Sequence, residues 1–181
     1  MATAAIYTGG INHPFDTAAP ALARLLDDAG FTPLLSHDLD EVIGAIRQHP
    51  ESLLVVYALR WSMTQHEKYA PHREQWAFAM PDYARAAIDL HVATGGGLLA
   101  VHTASICFDD WPEWSRILGG GWRWGRSHHP PLGPVRVLLT PEAPLARGLP
   151  DFELVDEVYA DLELAPGACV LARAEAEVAP G

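Results

Sequence analysis

The sequence predicts an α/β domain built on a parallel sheet, and three observations lead there. Ala4–Tyr7, Leu53–Tyr57 and Leu98–Val101 are short apolar runs without polar alternation, the pattern of strands buried on both faces. Between them lie segments whose apolar residues recur at helical spacing. Glycine clusters, Gly9-Gly10 and Gly95-Gly96-Gly97, punctuate the joins. Strand and helix in alternation imply right-handed crossovers, a parallel sheet and helices on both of its faces.

The elements follow in order. After the first strand, a helix is expected over about 18–29, with Pro20 in its first turn, Leu22, Leu25, Leu26 and Ala29 inward, and Gly30 ending it. Phe31–Leu35 reads as a strand. Asp38 or Asp40 can cap a second helix bearing Leu39, Val42, Ile43 and Ile46. Beyond the strong strand at Leu53–Tyr57, the stretch from Arg60 to Pro81 holds Trp61, His66, Tyr69, His72 and Trp76, and reads as an insertion over one end of the sheet. Pro81-Asp82 opens a helix with Tyr83, Ala86, Ala87, Leu90 and Ala93 at helical spacing. Past Trp111 the helices shorten. Val135–Leu139 and Cys169–Arg173 look like strands, and Phe152–Tyr159 is mixed.

Composition narrows the function. The chain has 181 residues, 49% hydrophobic and 19% charged, and a net charge of -11. An acidic surface repels phosphate backbones, so nucleic acid is not an expected partner. No apolar run reaches the ~20 residues of a membrane span, and the start of the chain carries no basic leader, so a cytoplasmic location is expected. Cys107 and Cys169 lack metal-motif spacing and read as reduced thiols. A homo-oligomer is allowed but not required.

Ligands of an open parallel sheet bind outside the carboxyl ends of its strands. Three segments leave those ends: Thr8–His13, Arg60-Trp61 and His102–Ser105. His102 stands out among nine histidines, because Ala100-Val101-His102-Thr103-Ala104 takes an apolar strand sharply into small residues, as a nucleophile elbow does. The alternative is a buried histidine bonded to backbone. His37, His49, His66, His72 and His91 read as surface or structural.

The resemblance to a family comes from five stretches in order: Gly9-Gly10-Ile11-Asn12-His13, the Gly95–Ala104 strand and turn, Leu118–Trp122 with His128-His129-Pro130, Pro144–Pro150, and Asp156-Glu157-Val158-Tyr159. Together they resemble ThuA-like, or trehalose-utilisation, proteins over nearly the whole chain. That resemblance implies a class I glutamine amidotransferase-like fold, a flavodoxin-like three-layer α/β/α sandwich. It implies one domain over 1–181 that stops short of the family's C-terminal strand and helix. Amidotransferases carry a cysteine at the elbow; here His102 takes that place and neither Ser105 nor Cys107 sits on the turn, so glutaminase chemistry is not expected.

The expected function is therefore an enzyme of carbohydrate metabolism, acting on trehalose, another disaccharide or a keto-sugar through histidine acid–base chemistry. His13, His102 and His129 (with His128 as the alternative) are the imidazoles, and Asp156 or Glu157 the supporting carboxylate. Gly10, Asn12, Trp61, Thr103, Trp122 and Tyr159 are the candidate substrate contacts, with Trp124 as a further wall, whereas Trp111 and Trp114 read as core. A second expectation is a zinc hydrolase, with His13, His102 and His129 as metal ligands. A third is a sugar-binding or interaction module that keeps the shape without catalysis. The site expectation has these groups sharing one cleft.

Overall fold

A computed structural model describes residues 1–176; residues 177–181, which include the Ala179-Pro180-Gly181 end of the chain, lie outside the described residues. Two compact units divide at Leu118 and Gly119.

The first unit, 1–118, holds the parallel sheet. Its strands are β1 (Thr3–Gly9), β2 (Thr32–Ser36), β3 (Leu53–Ala58) and β4 (Gly97–Ala100), in the order β2-β1-β3-β4. Every pairing is parallel, with Ile6 opposite Leu35 and Val55, and Val56 opposite Ala100. Alternate residues sort the core into two faces. Ala4, Ile6 and Val55 pack with Leu22 and Leu26 of α1 (Phe15–Asp28). Ala5, Tyr7, Leu54 and Val56 pack with α2 (Leu39–Gln48) and with a later helix over 82–93. Helix, sheet and helices make three layers.

Asp38 settles which acid caps α2, its carboxylate accepting the Asp40 N–H at 2.8 Å. Between β3 and β4 the expected insertion is a 3₁₀ turn over Glu67–His72 and a single α-turn, α3 (Arg73–Trp76). It leads into α4 (Asp82–Ala93). A short helix, α5 (Glu113–Leu118), ends the unit.

Four expectations shift. Helix α1 starts at Phe15, so Pro20 lies inside it rather than in its first turn, and Leu25 is exposed while Phe15 and Ala19 are buried. On α4 the buried face is Ala84, Ala87, Ile88 and His91, and the bulkier Tyr83 and Leu90 face outward. Small side chains let this helix sit close to the core, which an apolar-size reading missed. Ile6 and Val55 are buried on the central strands, but β4 is an edge strand in this unit and Val101, just beyond it, is half-buried.

The second unit, from Gly119 on, is antiparallel. Strands β5 (Gly120–Gly121) and β8 (Glu163–Leu164) pair, and β6 (Gly133–Leu139) lies between β7 (Phe152–Asp156) and β9 (Ala172–Ala176). The chain's last predicted strand, Cys169–Arg173, thus begins three residues later. No described helix is long and apolar enough to cross a membrane.

Candidate functional site

In the first unit, the β1 and β4 exits bring two histidines together. After Gly9 the chain turns through Gly10 and Asn12, both at positive φ (140° and 65°), into His13. A Cβ on Gly10 would stand 2.5 Å from the Leu59 carbonyl oxygen, so the close passage of the two loops requires glycine there. Gly10 serves the backbone path, and Asn12 is exposed beside it.

After β4, Val101 is still extended and His102 swings to φ 48°, opening a 3₁₀ turn over His102–Ser105. A left-handed histidine is strained by about 1–3 kcal/mol and persists because its surroundings over-determine it. Here the restraints are visible. Thr103 Oγ1 donates to the Ala58 carbonyl at 2.6 Å, Cys107 Sγ donates to the same oxygen at 3.0 Å, and Ser105 Oγ donates back to the His102 carbonyl. The indole of Trp114 closes the turn from below, donating to the Ala104 carbonyl at 2.9 Å.

This strained turn aims His102 at His13. Their Nε2 atoms are 3.2 Å apart, the rings meeting edge to face at 5.1 Å between centroids. His13 Nδ1 lies 3.4 Å from the Ile11 carbonyl and its ring packs on Phe15, the first residue of α1. A carbonyl can only accept, so Nδ1 of His13 carries the proton in the neutral ring. Its Nε2 is then the acceptor, and Nε2 of His102 the donor.

Two sequence candidates in this unit are corrected. Trp61 is only 2% exposed and meets Tyr69 edge to face, so it is a core side chain rather than a wall open to a sugar. Thr103 is fully buried and its hydroxyl holds the Ala58 carbonyl, so it shapes the turn. Cys107 is buried too. Burial pushes its thiol up to about 12, against the pull of the Arg60 backbone N–H and side chain. Trp111 and Trp114 are core, as the sequence indicated.

In the second unit, the remaining candidates include an aromatic cluster. Trp122 meets Tyr159 edge to face at 5.2 Å and Trp124 at 6.0 Å, and the His129 ring lies 6.0 Å from Tyr159 and 6.4 Å from Trp122. His129 Nδ1 is 3.0 Å from Glu157 Oε1. Asp156 instead turns to water, its Oδ1 accepting the Glu157 N–H at 2.8 Å. His128 is exposed and 3.5 Å from Asp161. Of each ambiguous pair, His129 and Glu157 are thus the two that meet. The Trp122 Nε1 is buried with no acceptor.

The sequence profile of the ThuA family, described as trehalose utilisation, matches residues 4–180. The chain belongs to the ThuA family. Two solved structures share its fold. One is a ThuA-like protein from Parabacteroides merdae ATCC 43184, with a TM-score of 0.68 and 18% identity over 96% of this chain and 68% of that one. The other is a ThuA-like protein from Bacteroides uniformis ATCC 8492, with a TM-score of 0.60 and 19% identity over 87% of this chain and 60% of that one. No curated protein matches. The flavodoxin-like α/β reading of this ThuA chain stands on that likeness and on the β2-β1-β3-β4 sheet.

Proposed function

We propose that this ThuA protein is an enzyme acting on a carbohydrate, a disaccharide or keto-sugar, with the His13–His102 pair as its acid–base machinery. The observation that carries the reading is the 3.2 Å approach of the two Nε2 atoms on the sheet's carboxyl rim, held by a left-handed histidine. Strain kept at the place where ligands of parallel sheets bind is a mark of function. One neutral imidazole can accept a proton from a hydroxyl or from a carbon beside a carbonyl, while its neighbour returns one. The family description supports sugars as the substrate class.

The elbow presents an imidazole, and its nearest thiol, Cys107, is buried and protonated, so the reading does not extend to glutaminase chemistry. In the second unit, the half-buried rings of Trp122, Trp124 and Tyr159 are proposed to stack on sugar faces, with Glu157 orienting His129.

The test is proton exchange in D2O, followed by NMR across disaccharides and their keto derivatives. The expected result is deuterium incorporation at a carbon bound to or beside the reacting oxygen, reduced about 10²–10⁴-fold in His102→Gln. Unchanged exchange in both His102→Gln and His13→Gln would remove the pair from the chemistry.

One observation favours a second reading, a bound zinc ion. Two ligands on a tetrahedral zinc with Zn–N bonds of ~2.0–2.1 Å are separated by roughly 3.3 Å, and the two Nε2 atoms already stand at 3.2 Å. His13 also offers its other nitrogen to the Ile11 carbonyl, as metal-bound histidines do. Zinc would supply Lewis acidity to a hydroxyl or carbonyl. Calorimetric titration of zinc into wild type and His13→Gln separates the readings without any substrate.

A further inference from the structure

Strand order locates a second place of interest in the first unit. From β1 the chain goes by α1 to β2 on one side, and from β2 by α2 to β3 on the other. The connections diverge between β1 and β3, where a doubly wound sheet opens a crevice. Arg60, two residues past β3, stands at that crevice.

Its surroundings are unusual for a cation. The half-buried guanidinium lies over the Trp76 ring, 4.9 Å from the centroid, which covers one of its faces. The Tyr7 hydroxyl faces it from β1. Arg60 holds the Tyr7 pKa back, although burial still raises it to about 12. A Cβ on Gly9 would stand 3.2 Å from Arg60 Nη2 and 2.8 Å from His37 Nδ1, so both nitrogens converge over the bare Cα of Gly9. Gly9 has φ +112°, a conformation that favours glycine.

Among the described residues no carboxylate pairs with Arg60, and its Nε is buried with no acceptor. Asp38, the nearest acid in sequence to His37, is engaged as the cap of α2. An N–H left unmet in the interior is unfavourable, the more so on a charged group. Arg60, whose side chain hydrogen-bonds the Tyr7 hydroxyl, thus stands without a carboxylate partner at the mouth of the β1–β3 crevice in a chain of net charge -11.

We propose that Arg60, with His37 and the Gly9 turn, forms an anion subsite for the carboxylate or phosphate group of a small-molecule ligand. The guanidinium supplies parallel N–H donors suited to a planar or tetrahedral oxyanion. His37, exposed at the edge, adds a further donor, and Trp76 fixes the guanidinium plane. On the carbohydrate reading above, such a ligand would be a sugar derivative carrying a carboxylate or phosphate group. The inference does not depend on the His13–His102 chemistry.

The test titrates the full chain at constant ionic strength with inorganic phosphate, gluconate and glucose, following melting temperature and the Arg60 Nε–H resonance. Saturable binding of phosphate or gluconate but not glucose is expected, with the tighter anion identifying the source of the charge. Arg60→Gln should weaken that binding at least tenfold and Arg60→Lys less. His102→Gln should leave it unchanged, which separates this site from the histidine pair. The resonance keeps the test open should Arg60→Gln fold poorly. No saturable anion binding, equal binding of glucose, or retention of binding in a folded Arg60→Gln protein would overturn the proposal.

Discussion

His13 Nε2 and His102 Nε2 share one hydrogen bond at 3.2 Å, and the Ile11 carbonyl beside His13 Nδ1 decides which ring donates. Two protonated imidazoles would point N–H at N–H. Long-range 1H–15N spectra of the ligand-free protein at neutral pH should show His13 protonated at Nδ1 and His102 at Nε2. The opposite tautomers would mean that the Ile11 contact does not orient the pair.

The elbow's geometry has its own test. Thr103 and Cys107 both donate to the Ala58 carbonyl, tying the turn after β4 to the end of β3. Thr103→Val keeps the shape and removes one donor, so stability should fall by about 1 kcal/mol. If the tie positions His102, activity should fall further than stability, with kcat reduced and KM little changed. An unaltered kcat in a destabilised variant would confine Thr103 to the fold.

Two buried acids set the alkaline limit of stability. Burial raises Cys107 from 9.0 to about 12 and Tyr7 from 10.0 to about 12. Above its ordinary value each group loses its proton in the unfolded chain but keeps it in the native one. The unfolded state then binds fewer protons, and stability falls as pH rises. The decline should begin near pH 9 through Cys107, steepen near 10 through Tyr7 and level off near the native values of about 12. Each group adds a slope of up to about 1.4 kcal/mol per pH unit. Urea midpoints measured between pH 8 and 11 should show the earlier part missing in Cys107→Ala and the later part missing in Tyr7→Phe. A Cys107→Ala slope equal to wild type would mean that the thiol is not buried in the folded protein.

The parallel sheet was legible because buried strands are written as unbroken apolar runs, and Ile6 and Val55 sit where that pattern requires. His102 was legible because Ala100 to Ala104 couples a strand to small residues. What escaped depended on close approach. Gly96 is such a case: a Cβ there would lie 2.3 Å from the His91 ring, so the glycine makes room for a histidine whose Nε2 donates to the Gly97 carbonyl. Nothing local in the sequence links those residues. Arg60 escaped for the same reason, since its want of a carboxylate is visible only when β1, α2 and α3 are folded around it. Trp61 shows the converse. Its position after β3 suggested an open wall, but the insertion that follows folds Tyr69 against it.

The last prediction concerns Glu157 and Asp156, neighbours that part company at the end of β7. Asp156 is exposed and its carboxylate accepts the next backbone N–H, which needs no ligand to explain it. Glu157 is half-buried and holds His129 Nδ1 at 3.0 Å, among Trp122 and Tyr159. A carboxylate in that position fixes the proton on Nδ1 and leaves Nε2 as the basic nitrogen. Glu157→Gln keeps the shape but removes the charge, and an amide can present an N–H where the imidazole needs an acceptor. Turnover should fall about 10–100-fold with the fold intact. Asp156→Asn should stay near wild type. The control that distinguishes orientation from folding is the melting temperature, which should stay near wild type in Glu157→Gln while turnover falls. Full activity in Glu157→Gln would return the His129–Glu157 pair to the surface ion pairs, where a contact of this length is worth little.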